Sequence, residues 1–107
     1  MLTGDPERLQ NWKAYRPRVI HTPAGDRIAT KFSELTGKPP ILLAGMTPTT
    51  VDPQIVAAAA NAGYWAELAG GGQVTAEVLD RHLTELEDEL EEGRTVEFNA
   101  MFMDRYL

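Results

Sequence analysis

Residues 64–72 read YWAELAGGG, a strand-like run that leads directly into three glycines. Successive glycines give up side-chain packing and cost backbone entropy, so a chain keeps them where the backbone must turn sharply or approach another group closely. A second loop of this kind, residues 45–48 (GMTP), follows the apolar run Ile41–Ala44. Two such loops after two successive strands indicate the ligand-binding edge of an α/β sheet or barrel.

Strand and helix signals alternate from residue 41 onward. Ile41–Ala44 is continuously apolar, as expected of a parallel strand that is buried on both faces. Asp52 and Pro53 predict a helix start, with aspartate as the N-cap and proline at the first helical position. The alanine-rich helix should continue over residues 54–62 and end at Gly63.

The second half of this alternation begins with a strand over Tyr64–Ala69. A helix is then predicted from Ala76 to about Glu92, with Thr75 as its cap, and a third strand over Val96–Met103. Four leucines at helical spacing form one stripe along this helix: Leu79, Leu83, Leu86 and Leu90. The order β-α-β-α-β implies crossover connections and a parallel sheet.

Residues 1–40 have a different pattern. A short helix is predicted over residues 7–16, ended by Pro17, and a β-hairpin over residues 18–22 and 27–30 around a glycine-containing loop. One helical turn over residues 32–36 should end at Gly37. We interpret residues 1–38 as a connector and residues 39–107 as the α/β segment.

Composition limits the class of protein. The chain has 107 residues, of which 43% are apolar, enough for one small domain with a core. Its net charge of −6 argues against nucleic acid or an anionic membrane as the main partner. Cysteine is absent, which excludes disulfides and thiolate metal sites, and no compact set of oxygen ligands predicts a metal. Without a secretory signal or membrane-spanning run, we expect a cytoplasmic protein.

Several polar residues could take part in a site, each with a structural alternative. Asn99, in an apolar strand, could bind a ligand heteroatom or be a buried, hydrogen-bonded structural amide. Glu67 could bond a ligand or pair with a basic residue. Gln73 could supply an amide to the same site, although we expect it to be exposed. His21 and His82 lie on neither glycine loop, so no catalytic residue is assigned. No G-x-G-x-x-G motif or Ser-His-acid set occurs.

The two glycine loops also allow structural interpretations. Residues 45–48 could form nothing more than a tight strand-to-helix connection, and the triple glycine could be a flexible turn. Taken together with their surroundings, however, they form a long ordered motif. Residues 38–51 (KPPILLAGMTPTTV), residues 59–73 (AANAGYWAELAGGGQ) and Phe98-Asn99 resemble the opening of the enoyl reductase domain of type I fatty acid synthases. The likeness covers residues 30–107 and is strongest to the single-chain actinobacterial enzymes, including the mycobacterial type, with the fungal β subunit also similar.

The resemblance implies an FMN-dependent TIM barrel of which this chain supplies about three β/α units. It also implies NADH or NADPH as hydride donor, an enoyl group on an acyl carrier protein as substrate, other synthase domains as partners, and a homo-oligomeric parent. Trp65 stands where fungal members carry histidine, so the catalytic proton donor stays unassigned. The residues that the resemblance places at the flavin are Gly45, Met46, Thr47, Gly70, Gly71, Gly72 and Asn99.

A complete (β/α)₈ barrel needs roughly 250 residues, so we expect a truncated barrel that lacks the usual phosphate site after strands 7 and 8. The isolated chain is then expected to be inactive. Two alternatives remain: a non-catalytic structural or docking segment of the synthase, and a flavoprotein similar to nitronate monooxygenases.

Overall fold

The computed structural model describes residues 11–100, and the chain divides into two compact units, Met1–Pro40 and Ile41–Leu107. In the first unit, residues 11–14 are helical, and strands β1 (Arg18–Thr22) and β2 (Gly25–Ala29) form an antiparallel hairpin. Helix α1 (Lys31–Thr36) follows. The predicted hairpin and helical turn are therefore confirmed, whereas residues 7–10 of the predicted first helix lie outside the described range.

Local side-chain bonds explain where α1 begins and ends. The Ser33 backbone N–H donates to Thr30 Oγ1 at 3.1 Å, and the Thr30 N–H donates to Ser33 Oγ at 2.7 Å. This reciprocal pair is a capping box, which satisfies two donors that have no partner inside the helix. Gly37 ends the helix with φ of 68°, a left-handed conformation that glycine adopts without steric cost.

The second unit contains a parallel three-stranded sheet in the order β3-β4-β5 and two helices. Two 3₁₀ turns, Thr49–Val51 and Gly70–Gly72, follow the first two strands. The regular elements are β3 (Leu42–Leu43), α2 (Pro53–Asn61), β4 (Trp65–Ala69), α3 (Ala76–Glu89) and β5 (Glu97–Asn99). The predicted β-α-β-α-β order is confirmed, but no closed barrel is formed by the described residues, and the larger barrel stays a prediction.

The caps of α2 and α3 were predicted correctly. Asp52 Oδ1 accepts the Gln54 N–H at 2.9 Å, and Thr75 Oγ1 accepts the Val78 N–H at 3.2 Å. Gly63, just beyond α2, has φ of 95°, which explains why glycine occupies this position. These interactions span two or three residues, so they can be read from sequence alone.

The core lies where α2 packs on β4. Its buried members come from α2, β4 and α3: Val56, Ala57, Ala60, Ala66, Leu68 and Leu86. Ala66 and Leu68 are two residues apart on β4 and so point to the same face of the sheet. The small side chains of α2 allow its backbone to approach that face closely, and Leu68 fills the remaining space.

One burial prediction was wrong. Ile41 is 59% exposed and Leu42 is 44% exposed, although a strand buried on both faces was expected. In the described residues β3 pairs only with β4, so one edge of β3 has no neighbouring strand. Of the leucine stripe, Leu86 is buried, Leu79 and Leu90 are half-buried, with Leu90 packed against the core, and Leu83 is 37% exposed.

Helix α3 ends earlier than predicted, and Asn61 holds that end. Leu90 has an extended backbone (ψ 132°), so the helix ends at Glu89. The Asn61 side chain donates from Nδ2 to the Glu89 carbonyl at 2.9 Å and accepts the Glu91 N–H at Oδ1 at 2.9 Å. One amide thus ties the last residue of α2 to both sides of the α3 terminus.

Strand β5 is described up to Asn99, and residues 101–103 of the predicted strand lie outside the described range. No helix between residues 11 and 100 is long and apolar enough to cross a membrane.

Leu68 is the side chain whose loss should destabilise the second unit most. It is 1% exposed, so Leu68→Ala removes buried methyl groups and leaves a cavity, which should lower the free energy of unfolding by about 3 kcal/mol. Urea denaturation followed by circular dichroism measures this change. Leu35→Ala is the matched control: Leu35 is 86% exposed, and a change within about 0.5 kcal/mol is expected. Equal losses in both variants would contradict this description of the core.

Candidate functional site

Three loops meet at the carboxyl edge of the parallel sheet. In the β3–β4 pair Leu43 lies opposite Ala66, and in the β4–β5 pair Ala69 lies opposite Asn99. Because the strands run in the same direction, the segments that follow them leave the sheet at one edge. Such edges are where open α/β sheets and barrels hold ligands.

The loop after β3 is shaped by a buried hydroxyl. The Met46 N–H donates to Thr50 Oγ1 at 2.5 Å, and the Thr50 N–H donates to the Met46 carbonyl at 2.7 Å. Thr50 is fully buried, whereas the side chains of Met46 and Thr47 are exposed. The Thr47–Pro48 peptide is cis. The two hydrogen bonds between Met46 and Thr50 fix the Met46 backbone, while the Met46 side chain stays accessible.

Gly45 brings the first loop against side chains of both other strands. A Cβ atom on Gly45 would lie 2.8 Å from Glu67 Oε1 and 3.3 Å from Asn99 Cβ. The first of these distances is too short for any real side chain, so only glycine fits without movement of Glu67. Residues from three separate segments thus meet at one point.

The triple glycine forms a 3₁₀ turn that packs against both neighbouring segments. A Cβ atom on Gly70 would overlap the Asn99 carbonyl oxygen, and one on Gly72 would overlap the Val51 side chain. A Cβ atom on Gly71 would lie 3.2 Å from Thr47 Oγ1. Close approach therefore explains Gly70 and Gly72, and the groups that approach them are the protein's own atoms. The flexible-turn alternative does not describe this packed turn.

Gln73 anchors the end of this turn. Its Nε2 donates to the Ala69 carbonyl at 3.1 Å, and its Oε1 lies 2.7 Å from His82 Nδ1. Because Oε1 can only accept, His82 Nδ1 is the donor in this bond. The predicted exposure of Gln73 was wrong, since the residue is half-buried. His82, which sequence placed away from both loops, supports the second loop from α3.

Asn99 and Glu67 lie on the sheet face opposite the helices. Ala66 and Leu68 face the helices, so Glu67 between them must face the other way. Asn99 is exposed, which corrects the expectation of a buried amide. Glu67 was predicted as a possible ligand-binding carboxylate but was not among the residues assigned to the flavin. Its alternation with two buried apolar neighbours is the sequence signal for its position on this face.

The structure therefore brings together some of the residues predicted to lie at the flavin. The structure joins Gly45 and Gly70 to Asn99 and joins Gly71 to Thr47, while Gly72 contacts Val51. This edge offers an amide, a hydroxyl and a carboxylate, which suit the polar rim of a planar ligand better than a phosphate. No group of three histidine, aspartate or glutamate side chains in residues 11–100 could hold a metal ion.

Comparison with known proteins identifies relatives among fungal fatty acid synthases. The chain is 40% identical over 99 residues to fatty acid synthase subunit beta of Saccharomyces cerevisiae, and 40% identical over 96 residues to fatty acid synthase beta subunit pkiC of Emericella nidulans. Fatty acid synthase subunit beta of Aspergillus oryzae is 37% identical over 105 residues. These alignments cover 91%, 89% and 95% of the chain.

The chain spans only 5% of the length of each of these relatives. No family model matches it. Because these relatives are fungal, the likeness to actinobacterial single-chain enzymes stays a prediction.

Alanine substitutions at Gly70 and Gly71 distinguish the contacts that these two glycines make in the second loop. Gly70→Ala places a methyl group on the Asn99 carbonyl, a backbone atom that cannot move without disturbing the β4–β5 pairing. We expect a loss of about 2 kcal/mol in the free energy of unfolding. Gly71→Ala meets only the exposed Thr47 hydroxyl, so a change within about 0.5 kcal/mol is expected. Urea denaturation of both variants tests this, and equal effects would contradict the described packing.

Proposed function

We propose that this chain is a segment of the enoyl-[acyl-carrier-protein] reductase of a type I fatty acid synthase. The observation that carries the proposal is the meeting of Gly45, Gly70 and Asn99 at one edge of a parallel sheet. These residues belong to the motif that resembles the reductase, and the fungal relatives are fatty acid synthase beta subunits. Geometry and similarity thus support the same assignment.

The residues at this edge fit a flavin. The Asn99 side chain is exposed and carries both a donor and an acceptor, as the edge of an isoalloxazine ring requires. Thr47 adds a hydroxyl, and the fixed Met46 backbone gives the first loop a constant shape. In the proposal, these residues and Gly45 line the ring on one side, with the Gly70–Gly72 turn beside them. Because the Glu67 carboxylate would repel a phosphate, the proposal has the FMN phosphate lie away from Glu67.

The chemistry that FMN supplies when bound is hydride transfer from NADH or NADPH to an enoyl thioester in fatty acid biosynthesis. In the proposal, this chain orients the isoalloxazine ring and tunes its electronic properties through hydrogen bonds. No proton donor is assigned, since neither Glu67 nor Trp65 is shown by a contact to serve as one. Acyl carrier protein and other synthase domains are the proposed partners, within a homo-oligomeric parent.

A second candidate function is a non-catalytic structural or docking segment of the synthase. It is favoured by the exposed apolar side chains of the sheet, Ile41, Leu42 and Phe98, which are 44–59% exposed. Apolar surface of this kind gains stability when another part of a larger protein covers it. In this case the segment would complete a sheet without contacting a cofactor.

A chimeric synthase distinguishes the two functions. The segment of Saccharomyces cerevisiae fatty acid synthase subunit beta that aligns with this chain is replaced by the present sequence. We expect the purified chimera to retain FMN and to reduce an enoyl thioester with NADPH. A chimera that assembles and keeps the other partial reactions but contains no FMN would contradict the reductase proposal and favour the structural one.

Substitution of Asn99 in the same chimera tests its contact with the cofactor. Asn99→Ala removes one side-chain hydrogen bond, so FMN should bind about fivefold more weakly, as measured by flavin fluorescence during dilution. Thr95→Ala is the control, because Thr95 is also exposed but precedes β5 and lies outside the candidate site. Unchanged FMN affinity in Asn99→Ala, or an equal loss in Thr95→Ala, would argue against a role of Asn99 at the flavin.

A further inference from the structure

A cleft of about 250 Å³ lies in the first unit, and its lining includes no residue of the glycine loops. It is lined by the end of the N-terminal helical segment, the start of β1, the end of β2 and the first turn of α1. Its charged residues are Lys13, Arg16, Arg18, Lys31 and Glu34. Four cations thus face one carboxylate, in a protein whose overall charge is −6.

The single carboxylate of the cleft is shared by two of these cations. Arg18 Nη2 lies 2.9 Å from Glu34 Oε1, and Lys31 Nζ lies 3.5 Å from Glu34 Oε2. No ion pair joins Lys13 or Arg16 to an acidic side chain within the described range 11–100. The cleft therefore has more positively than negatively charged side chains. Glu34 pairs with two of the cations that an incoming anion would use, Arg18 and Lys31.

We propose that this cleft binds a phosphate-bearing ligand through its phosphate group. Two guanidinium groups, those of Arg16 and Arg18, offer planar pairs of N–H donors that match phosphate oxygens. The volume equals that of roughly eight water molecules, which suits a phosphate or diphosphate group better than a whole dinucleotide. The proposal is independent of the function assigned to the glycine loops.

Glu34 gives the proposal a distinctive signature. As the carboxylate that pairs with Arg18 and Lys31, it competes with the bound anion for both cations. Removal of its charge should strengthen anion binding, whereas loss of a purely structural ion pair would not. The proposed site is then a basic cleft in which the Glu34 carboxylate competes with the bound anion.

The test titrates the full 107-residue chain with pyrophosphate at low ionic strength, by isothermal calorimetry. Arg16→Gln should weaken binding about fivefold, and Glu34→Gln should strengthen it about threefold. Arg27→Gln is the matched control: it removes the same charge from an exposed residue of the same unit that does not line the cleft, and binding should change less than twofold. Circular dichroism verifies that each variant keeps the secondary structure of the parent.

Two further measurements identify the source of the phosphate. Succinate, a dicarboxylate, should bind at least tenfold more weakly than pyrophosphate. Phosphatidylcholine vesicles with and without phosphatidic acid distinguish a lipid headgroup from a soluble phosphate compound; binding in either form supports the proposal. It is overturned if neither pyrophosphate nor phosphatidic acid vesicles bind, if Arg27→Gln weakens binding as much as Arg16→Gln, or if Glu34→Gln weakens binding.

Discussion

The packing of α2 on β4 is the contact on which the rest of the second unit depends. Ala57 and Ala60 let the helix approach the sheet, and Leu68 fills the space that remains. Successive side chains of a strand point to opposite faces of the sheet. Because Ala66 and Leu68 face the helices, Glu67 points to the opposite face. The interaction that stabilises the fold therefore also decides which β4 side chain can meet Gly45 and Asn99.

Sequence predicted those features that are determined within a few residues. The caps at Asp52 and Thr75 and the left-handed glycine at Gly63 depend on local backbone geometry, and each was found as expected. Burial depends on partners distant in sequence, and there the predictions were less successful. Ile41 is as apolar as a buried residue, but it precedes β3 and is 59% exposed, and in the described residues β3 itself has a neighbouring strand on one edge only.

The glycine loops illustrate the same limit at the candidate site. Sequence indicated that Gly45 and Gly70 mark places of close approach, but it could not identify the approaching group. In the structure that group is the Asn99 backbone at Gly70 and the end of the Glu67 side chain, which can move, at Gly45, so Gly70 is explained without a ligand. The proposed flavin site therefore rests on the exposed amide of Asn99, on the shared edge of the strands and on similarity to fatty acid synthase beta subunits.

The amide of Asn61 has a consequence for how related chains can differ in length. Its two hydrogen bonds, to Glu89 and Glu91, fix the end of α3 relative to the end of α2. An insertion within α3 would rotate and shift that terminus away from the amide, whereas an added residue in the exposed turn at residues 92–95 leaves both bonds in place. Insertions and deletions during divergence should therefore collect in that turn, with the helix length held constant.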